Sequence, residues 1–417
     1  MGEPDLVEWR QSIEHELSQR IIPFWRSLRD NTCGGFYGLV DWDLTLQPHA
    51  YKATLLNSRI LWFFSSVARW FDDKTLLDEA QHAYRFLTDF CLDRQAGGVV
   101  WSVEHDGTWR DTTKQTYNQA FAIYALAAYH RASGDPAALD LALELFQMLE
   151  TRLAIPPGYA EAFDRDFRPI ENDKLSENGI IADRTMNTLL HIFEAYAGLY
   201  VAGGGQPLVG EALRRILGIF SEQIYNPMAH RLDVFFDTSG RSLIDLQSFG
   251  HDIEASWLLS WGANLLEDPL LSHQIDTIGL DLVDSVYRRA FRDGSVAYEA
   301  LNGQFDDSRV WWVQAEAMVA FYTAATKTPK ADQAQLYTQV AHRLWRFCVT
   351  SLADPRPAGE WYWSTDSNGQ PLPGQPIVST WKCPYHSGRA CLKMLDMLAE
   401  PLPVLSSSNV VTDRAAG

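Results

Sequence analysis

Apolar residues recur along this chain at three- and four-residue spacing, the period of a helix with one face toward a core. The pattern predicts helices at about residues 5–30, 51–71, 73–92, 113–134, 135–152, 184–202, 207–225, 250–267, 269–291, 310–327, 331–351 and 384–399. A second pattern punctuates them, in which Gly precedes aromatic or β-branched residues. It occurs at Gly34-Gly35-Phe36-Tyr37-Gly38, Gly97-Gly98-Val99-Val100-Trp101, Gly294-Ser295-Val296-Ala297-Tyr298 and Gly359-Glu360-Trp361-Tyr362-Trp363. Arg231-Leu232-Asp233-Val234-Phe235-Phe236 and Gly158-Tyr159 are weaker instances. Each reads as a short strand in a loop. Gly98 follows Gly35 by 63 residues and Gly359 follows Gly294 by 65, which fits a repeat of one helical hairpin plus its loop.

A single hairpin cannot bury its own apolar faces, so neighbouring units must close around a shared core. The expected fold is all-α, an (α/α)6 barrel of about twelve helices with short strands in the loops at one end. An open solenoid is the alternative, and closure is preferred because neither terminal unit looks like a polar cap. Ala202-Gly203-Gly204-Gly205-Gln206-Pro207 reads as a tight helix connection. One catalytic domain is therefore expected over residues 1–401, followed by a small, polar and flexible tail at 402–417.

Three stretches carry candidate chemistry. Gly250-His251-Asp252-Ile253-Glu254-Ala255-Ser256-Trp257 reads as a helix start with Asp252 as its N-cap and with His251 and Glu254 on one face. Asn187-Thr188-Leu189-Leu190-His191-Ile192-Phe193-Glu194 repeats the His-x-x-Glu offset, with Asn187 one turn earlier. In a ring of repeats, both faces point to one central cavity. Trp381-Lys382-Cys383-Pro384-Tyr385-His386-Ser387-Gly388-Arg389 puts His386 near a helix N-terminus, since Pro384 suits a first turn. The helix dipole there disfavours imidazolium and leaves a neutral base. A lone His-x-x-Glu pair reads equally well as a structural pair, and His386 taken alone reads better as a capping or packing residue. Their convergence is what points to proton transfer.

Arg59 stands in the apolar run Leu55-Leu56-Asn57-Ser58-Arg59-Ile60-Leu61-Trp62, where a structural ion pair and an anion site are both open. Trp311-Trp312-Val313-Gln314-Ala315-Glu316 offers one Trp to the core and the other to a sugar face, with Glu316 as a further substrate contact. Tyr117-Asn118-Gln119-Ala120-Phe121 is a similar polar–aromatic entry into a helix.

Composition narrows the partners. A net charge of −18 argues against nucleic acid and anionic membranes. Aromatic residues make up 12%, and 15 of them are Trp, which suits flat ligand surfaces. The five cysteines have no metal or disulfide spacing, no signal peptide is visible, and no run of 18 apolar residues occurs. A cytoplasmic enzyme or binding protein is expected. His-x-x-Glu is the reverse of the Glu-x-x-His of di-iron bundles, and no His-Glu-x-x-His is present, so no metal is expected. The absence of Gly-x-Gly-x-x-Gly, P-loop and Gly-x-Ser-x-Gly motifs argues against nucleotide cofactors and serine hydrolases.

Gly34–Gly38, Leu55–Trp62, Asn187–Tyr196, Gly250–Leu259, Trp311–Ala317 and Trp381–Leu392 together resemble the N-acylglucosamine 2-epimerase superfamily, and most closely its cellobiose 2-epimerase branch. The resemblance implies an (α/α)6 barrel that interconverts glucose and mannose configuration at C2 of a reducing-end sugar, through a cis-enediolate and without a cofactor. It implies that His251 and His386 are the acid/base pair, that His191 is a third essential histidine, and that Arg59 lies near the sugar oxygens. Glu254, Asn187, Trp312 and Trp381 match substrate-binding positions, with the choice between Trp311 and Trp312 open. Ser387 stands where the family carries Asn. A sugar is the expected partner, and the chain is expected to be a monomer or weak homodimer. A mannose 2-epimerase or aldose–ketose isomerase acting on free monosaccharides is the alternative. A metal-dependent isomerase and a non-catalytic glycan-binding ring are more distant ones.

Overall fold

Aspartate and proline begin the outer helices. Asp5, Asp73, Asp135 and Asp268 each accept backbone N–H groups in the first turn that follows, and Pro136, Pro207 and Pro269 open three of these helices. The computed structural model describes residues 4–175 and 178–399. The helices run α1 (Leu6–Glu16), α2 (Ile22–Ser27), α3 (Thr54–Phe71), α4 (Lys74–Phe86), α5 (Thr116–Ser133), α6 (Pro136–Met148), α7 (Met186–Ala202), α8 (Pro207–Ile219), α9 (Phe249–Leu265), α10 (Pro269–Arg289), α11 (Trp311–Lys327), α12 (Ala331–Phe347) and α13 (Pro384–Ala399).

The apolar faces sort these helices into two layers. α3, α5, α7, α9, α11 and α13 pack side by side, and α13 returns to α3. The ring is closed, so this is an (α/α)6 barrel and not a solenoid. The others surround it, and α1 packs on α13 to seal the join between the chain's two ends. Inner helices are buried on nearly every side; α5 buries its whole run from Thr116 to Ala127. The periodicity predicted one helix over residues 5–30. The structure instead inserts a π turn at Leu17–Ile21 between α1 and α2, just ahead of Pro23, which has no N–H to continue the ladder. α4, α6, α8 and α12 likewise end in π turns, at Leu87–Cys91, Leu149–Leu153, Phe220–Ile224 and Cys348–Leu352.

All six punctuating stretches occupy equivalent places. Each is the return strand of a small hairpin after an outer helix. Phe36 pairs with Arg29, Val99 with Leu92, and Trp361 with Ala353. Gly158–Tyr159, Arg231–Leu232 and Ser295–Val296 pair with the strands just before them. Gly35 illustrates why glycine is needed there. Its φ is +65°, and a Cβ would come within 2.6 Å of the Phe86 ring.

One further repeat emerges. Two residues before each inner helix stands a polar donor: Lys52, Lys114, Arg184, Gln247, Arg309 and Lys382. Lys52 donates to Asp30 at 2.6 Å and to the Gly34 carbonyl at 2.7 Å, and Lys114 pairs with Asp93 at 3.2 Å. Lys382 pairs with Glu360, which also accepts from Ser387. These lysines are fully buried and tie each hairpin to the helix that follows. Among the described residues, no helix is long and apolar enough to cross a membrane. The expected tail at 402–417 lies outside the described residues.

Candidate active site

A cavity of about 190 Å³ opens where the inner helices begin. Ten of the eleven expected site residues line it: Arg59, Tyr117, Asn187, His191, His251, Glu254, Trp311, Trp312, Trp381 and His386. They come from six different inner helices or their entries, so the ring closure itself assembles the site.

Each imidazole is held from behind. His386 Nδ1 lies 2.7 Å from Glu316 Oε1, His251 Nδ1 lies 2.8 Å from Ser248 Oγ, and His191 Nδ1 lies 3.0 Å from Glu194 Oε2. A Nδ1–H donated to Glu316 leaves the His386 Nε2 lone pair available on the cavity side. Burial pushes the His251 pKa down to about 3, with the charge of His191 adding to the effect. Burial also carries His386 well below the ordinary imidazole range, followed by the charges of Arg389 and Arg59. Desolvation, which the sequence argument did not invoke, is the largest cause.

Beneath the histidines sits a charge cluster. Arg389 donates to Glu194, Glu254 and the Tyr385 hydroxyl, and to Glu316 at 2.6 Å. Burial favours a neutral Glu194, but Arg389 and His191 outweigh it and hold the carboxyl at about 2. Glu254 goes the other way. Burial and the neighbouring Glu316 raise it to about 7, and burial raises Glu316 as well. Three carboxylates around one guanidinium thus favour a proton on the Glu254–Glu316 pair near neutrality. Glu254 Oε2 is buried, has no hydrogen-bond partner, and sits 3.9 Å from His191 Nε2 on the cavity wall. Ligating atoms of Glu254, Glu316 and His386 lie within 4.8 Å of one another, but the cation among them is Arg389.

Several expectations are corrected here. Glu316 does not reach the cavity; it stands behind His386 and also accepts from Trp257 Nε1 at 3.0 Å. Asp252 does not cap α9, whose N-cap is Ser248. It reaches across to the Leu232 N–H at 2.8 Å and the Gln247 amide at 2.8 Å, joining the helix to the preceding strands. His251 and Glu254 do not bond each other, because Arg389 takes Glu254. Arg59 has no carboxylate partner among the described residues; its Nη2 donates to the Tyr117 hydroxyl at 2.7 Å, and its guanidinium lies 4.2 Å from the Phe121 ring centre. Of the tryptophan pair, Trp311 is almost wholly buried, its ring tilted against that of Trp363 with centres 4.7 Å apart. Trp312 is half-buried, 4.9 Å from the His251 ring and 5.4 Å from His386.

Sequence reasoning missed Lys174, Leu175, Tyr298 and Trp363, which also line the cavity, and gave no role to Arg389. Arg389 carried the same signal as Arg59, an arginine in an apolar helix.

The sequence profile of the N-acylglucosamine 2-epimerase (GlcNAc 2-epimerase) family matches residues 34–390. The chain belongs to this family. It is 44% identical over 395 residues to a cellobiose 2-epimerase of Eubacterium cellulosolvens, covering 91% of this chain and 96% of that one. The structure superposes on a sugar epimerase from a ruminal bacterium with a TM-score of 0.90 and 41% identity, covering 93% of this chain and 98% of the other. It superposes on cellobiose 2-epimerase from Bacillus thermoamylovorans with a TM-score of 0.88 and 38% identity, covering 93% and 99%. The expected family and barrel are those found.

Proposed function

We propose that this protein is a cellobiose 2-epimerase, interconverting glucose and mannose configuration at C2 of the reducing-end sugar of β-1,4-linked disaccharides. The observation that carries the reading is that His251 and His386, both kept neutral by burial, border one cavity with their Nδ1 atoms tied back. Two such groups allow a proton to be taken from one face of a carbon and a second, exchangeable proton to be delivered to the other. The relatives named above direct the choice of substrate.

After ring opening, an imidazole Nε2 takes the C2 proton and an enediolate forms across C1 and C2. His386, oriented by Glu316, is assigned to ring opening and one proton transfer, and His251 serves the opposite face. Arg59, without a carboxylate of its own, is the cation placed to hold the enediolate oxygens, assisted by His191. Glu254 Oε2 accepts a sugar hydroxyl, and Trp312 and Trp381 supply apolar faces to the ring. Because both imidazoles start neutral, the proton returned to C2 comes from solvent or from a sugar hydroxyl. No step calls for a metal or organic cofactor, and the unpaired cysteines suit the cytoplasm.

Incubating the enzyme with cellobiose, lactose, glucose and mannose in the presence of a chelator tests this. Appearance of the mannose-configured disaccharide is expected. Conversion of free monosaccharides only would transfer the assignment to a monosaccharide epimerase or isomerase, and loss of activity on chelation would remove cofactor independence.

A further inference from the structure

The opposite mouth of the barrel holds a second cleft, of about 120 Å³, where inner helices end. α3 contributes Ser65 and Arg69, α5 contributes Arg131, α9 contributes Trp261, and α13 contributes Arg389 and Lys393. His386 and Lys393 are seven residues apart on α13, so the two cavities are separated along the axis by about 10 Å of helix.

The chemistry of this cleft is inverted relative to the rest of the molecule. The protein as a whole carries a net charge of −18, yet here cations gather. None of Arg69, Arg131 and Lys393 has a carboxylate within 4.0 Å among the described residues. Lys393 lies over the Trp261 ring at 4.8 Å. The one carboxylate of the lining, Asp396, already accepts from Trp70 Nε1 at 3.0 Å. Partial burial, and after it the charge of Arg69, disfavour the Arg131 cation, while the charge of Asp396 offsets part of the burial of Lys393, so the cleft keeps an excess of positive charge. Two buried lining groups also lack any partner: the Ser65 hydroxyl, on a residue 1% exposed, and Arg389 Nε. Both buried unmatched groups can donate, and the cations outnumber the single lining carboxylate, so the cleft favours an anionic acceptor.

We propose that this cleft is a binding site for a phosphate group. Arg69, Arg131 and Lys393 neutralise it, and the Ser65 hydroxyl and Arg389 Nε–H are the donors at its base. Phosphate matches three cations in charge and the guanidinium forks in geometry. The indole of Trp261 beside Lys393 leaves room for either free phosphate or the phosphate of a small sugar ester.

Calorimetric titration of the full-length protein with inorganic phosphate, and separately with a hexose phosphate, at constant ionic strength, tests the site. Saturable binding is expected, with a Kd of about 1 mM or tighter for at least one of them. Arg69→Ala/Arg131→Ala changes exposed side chains and should leave the helical circular dichroism intact while weakening binding about tenfold or more. Tighter binding of the ester assigns the site to a sugar phosphate, and tighter binding of the inorganic ion assigns it to free phosphate. No saturable binding to the unaltered protein, equal affinity in the double variant, or the same heat from chloride at matched ionic strength would overturn the proposal.

Discussion

Lys52, Lys114 and Lys382 are as deeply buried as Arg389, but their surroundings differ. Each lysine meets a carboxylate of its own hairpin, and Asp30 is further satisfied by the N–H groups of Thr32 and Cys33. Around Arg389 the accounts do not balance. Three carboxylates share one cation, and among the described residues Glu254 Oε2 is unmatched and Arg59 nearby has no carboxylate partner. Buried polar groups ordinarily find partners, so satisfied pairs mark where charge holds the fold together. Unsatisfied ones that border a cavity mark where a substrate can complete the pattern. In this barrel the paired lysines lie beneath the hairpins, whereas Glu254 Oε2 and Arg59 border the axial cavity.

Removing an imidazole should separate the two regions most sharply. His386→Ala or His251→Ala is expected to lower kcat by about 10²–10⁴-fold, with a thermal midpoint close to that of the unaltered protein. A collapse in stability without a selective loss of turnover would place these histidines with the structural groups. Asp30→Ala should do the reverse. It leaves Lys52 buried and unpaired, which costs about 3–5 kcal/mol in denaturant unfolding, while turnover per folded molecule is kept.

Glu316→Gln probes the boundary between the two regions, since Glu316 touches both His386 and Arg389. Turnover is expected to fall by about 10²-fold, less than on losing the imidazole, and KM should change little. The acid limb of kcat/KM gives a further test. Burial pushes His251 down to about 3 and carries His386 well below its ordinary value, so each remains a base as pH falls through the free-imidazole range. The imidazole limb should therefore lie below the 6.5 of a free imidazole, apart from any titration of the Glu254–Glu316 pair near 7; a limb at 6.5 that persists in Glu254→Gln would contradict the burial argument. Trp312→Ala, which removes a half-buried face without touching a charge, should raise KM by roughly 2–10-fold.

The sequence made the barrel legible because inner and outer helices are apolar at a regular period and the hairpins recur at a regular interval. The π turns stayed hidden, since five residues are too few to distinguish their wider period. Asp252 was misread as a cap because local spacing cannot show that its partner is Leu232, twenty residues earlier. Glu316 was misplaced for a related reason. It shares a face with Trp312 one turn away, but the helix carries it below the cavity floor and under His386. The donors two residues before every inner helix were visible in the sequence, but only the structure shows that the position repeats.

The central claim is that one neutral imidazole removes the C2 proton and that a different, solvent-exchangeable proton reaches C2 from the side of the other. The most direct measurement is a proton NMR time course of cellobiose with the enzyme in D2O. The account predicts a mannose-configured product that carries deuterium at C2, formed at a rate that falls with His386→Ala. Product that retains its original hydrogen at C2 through many turnovers would contradict it.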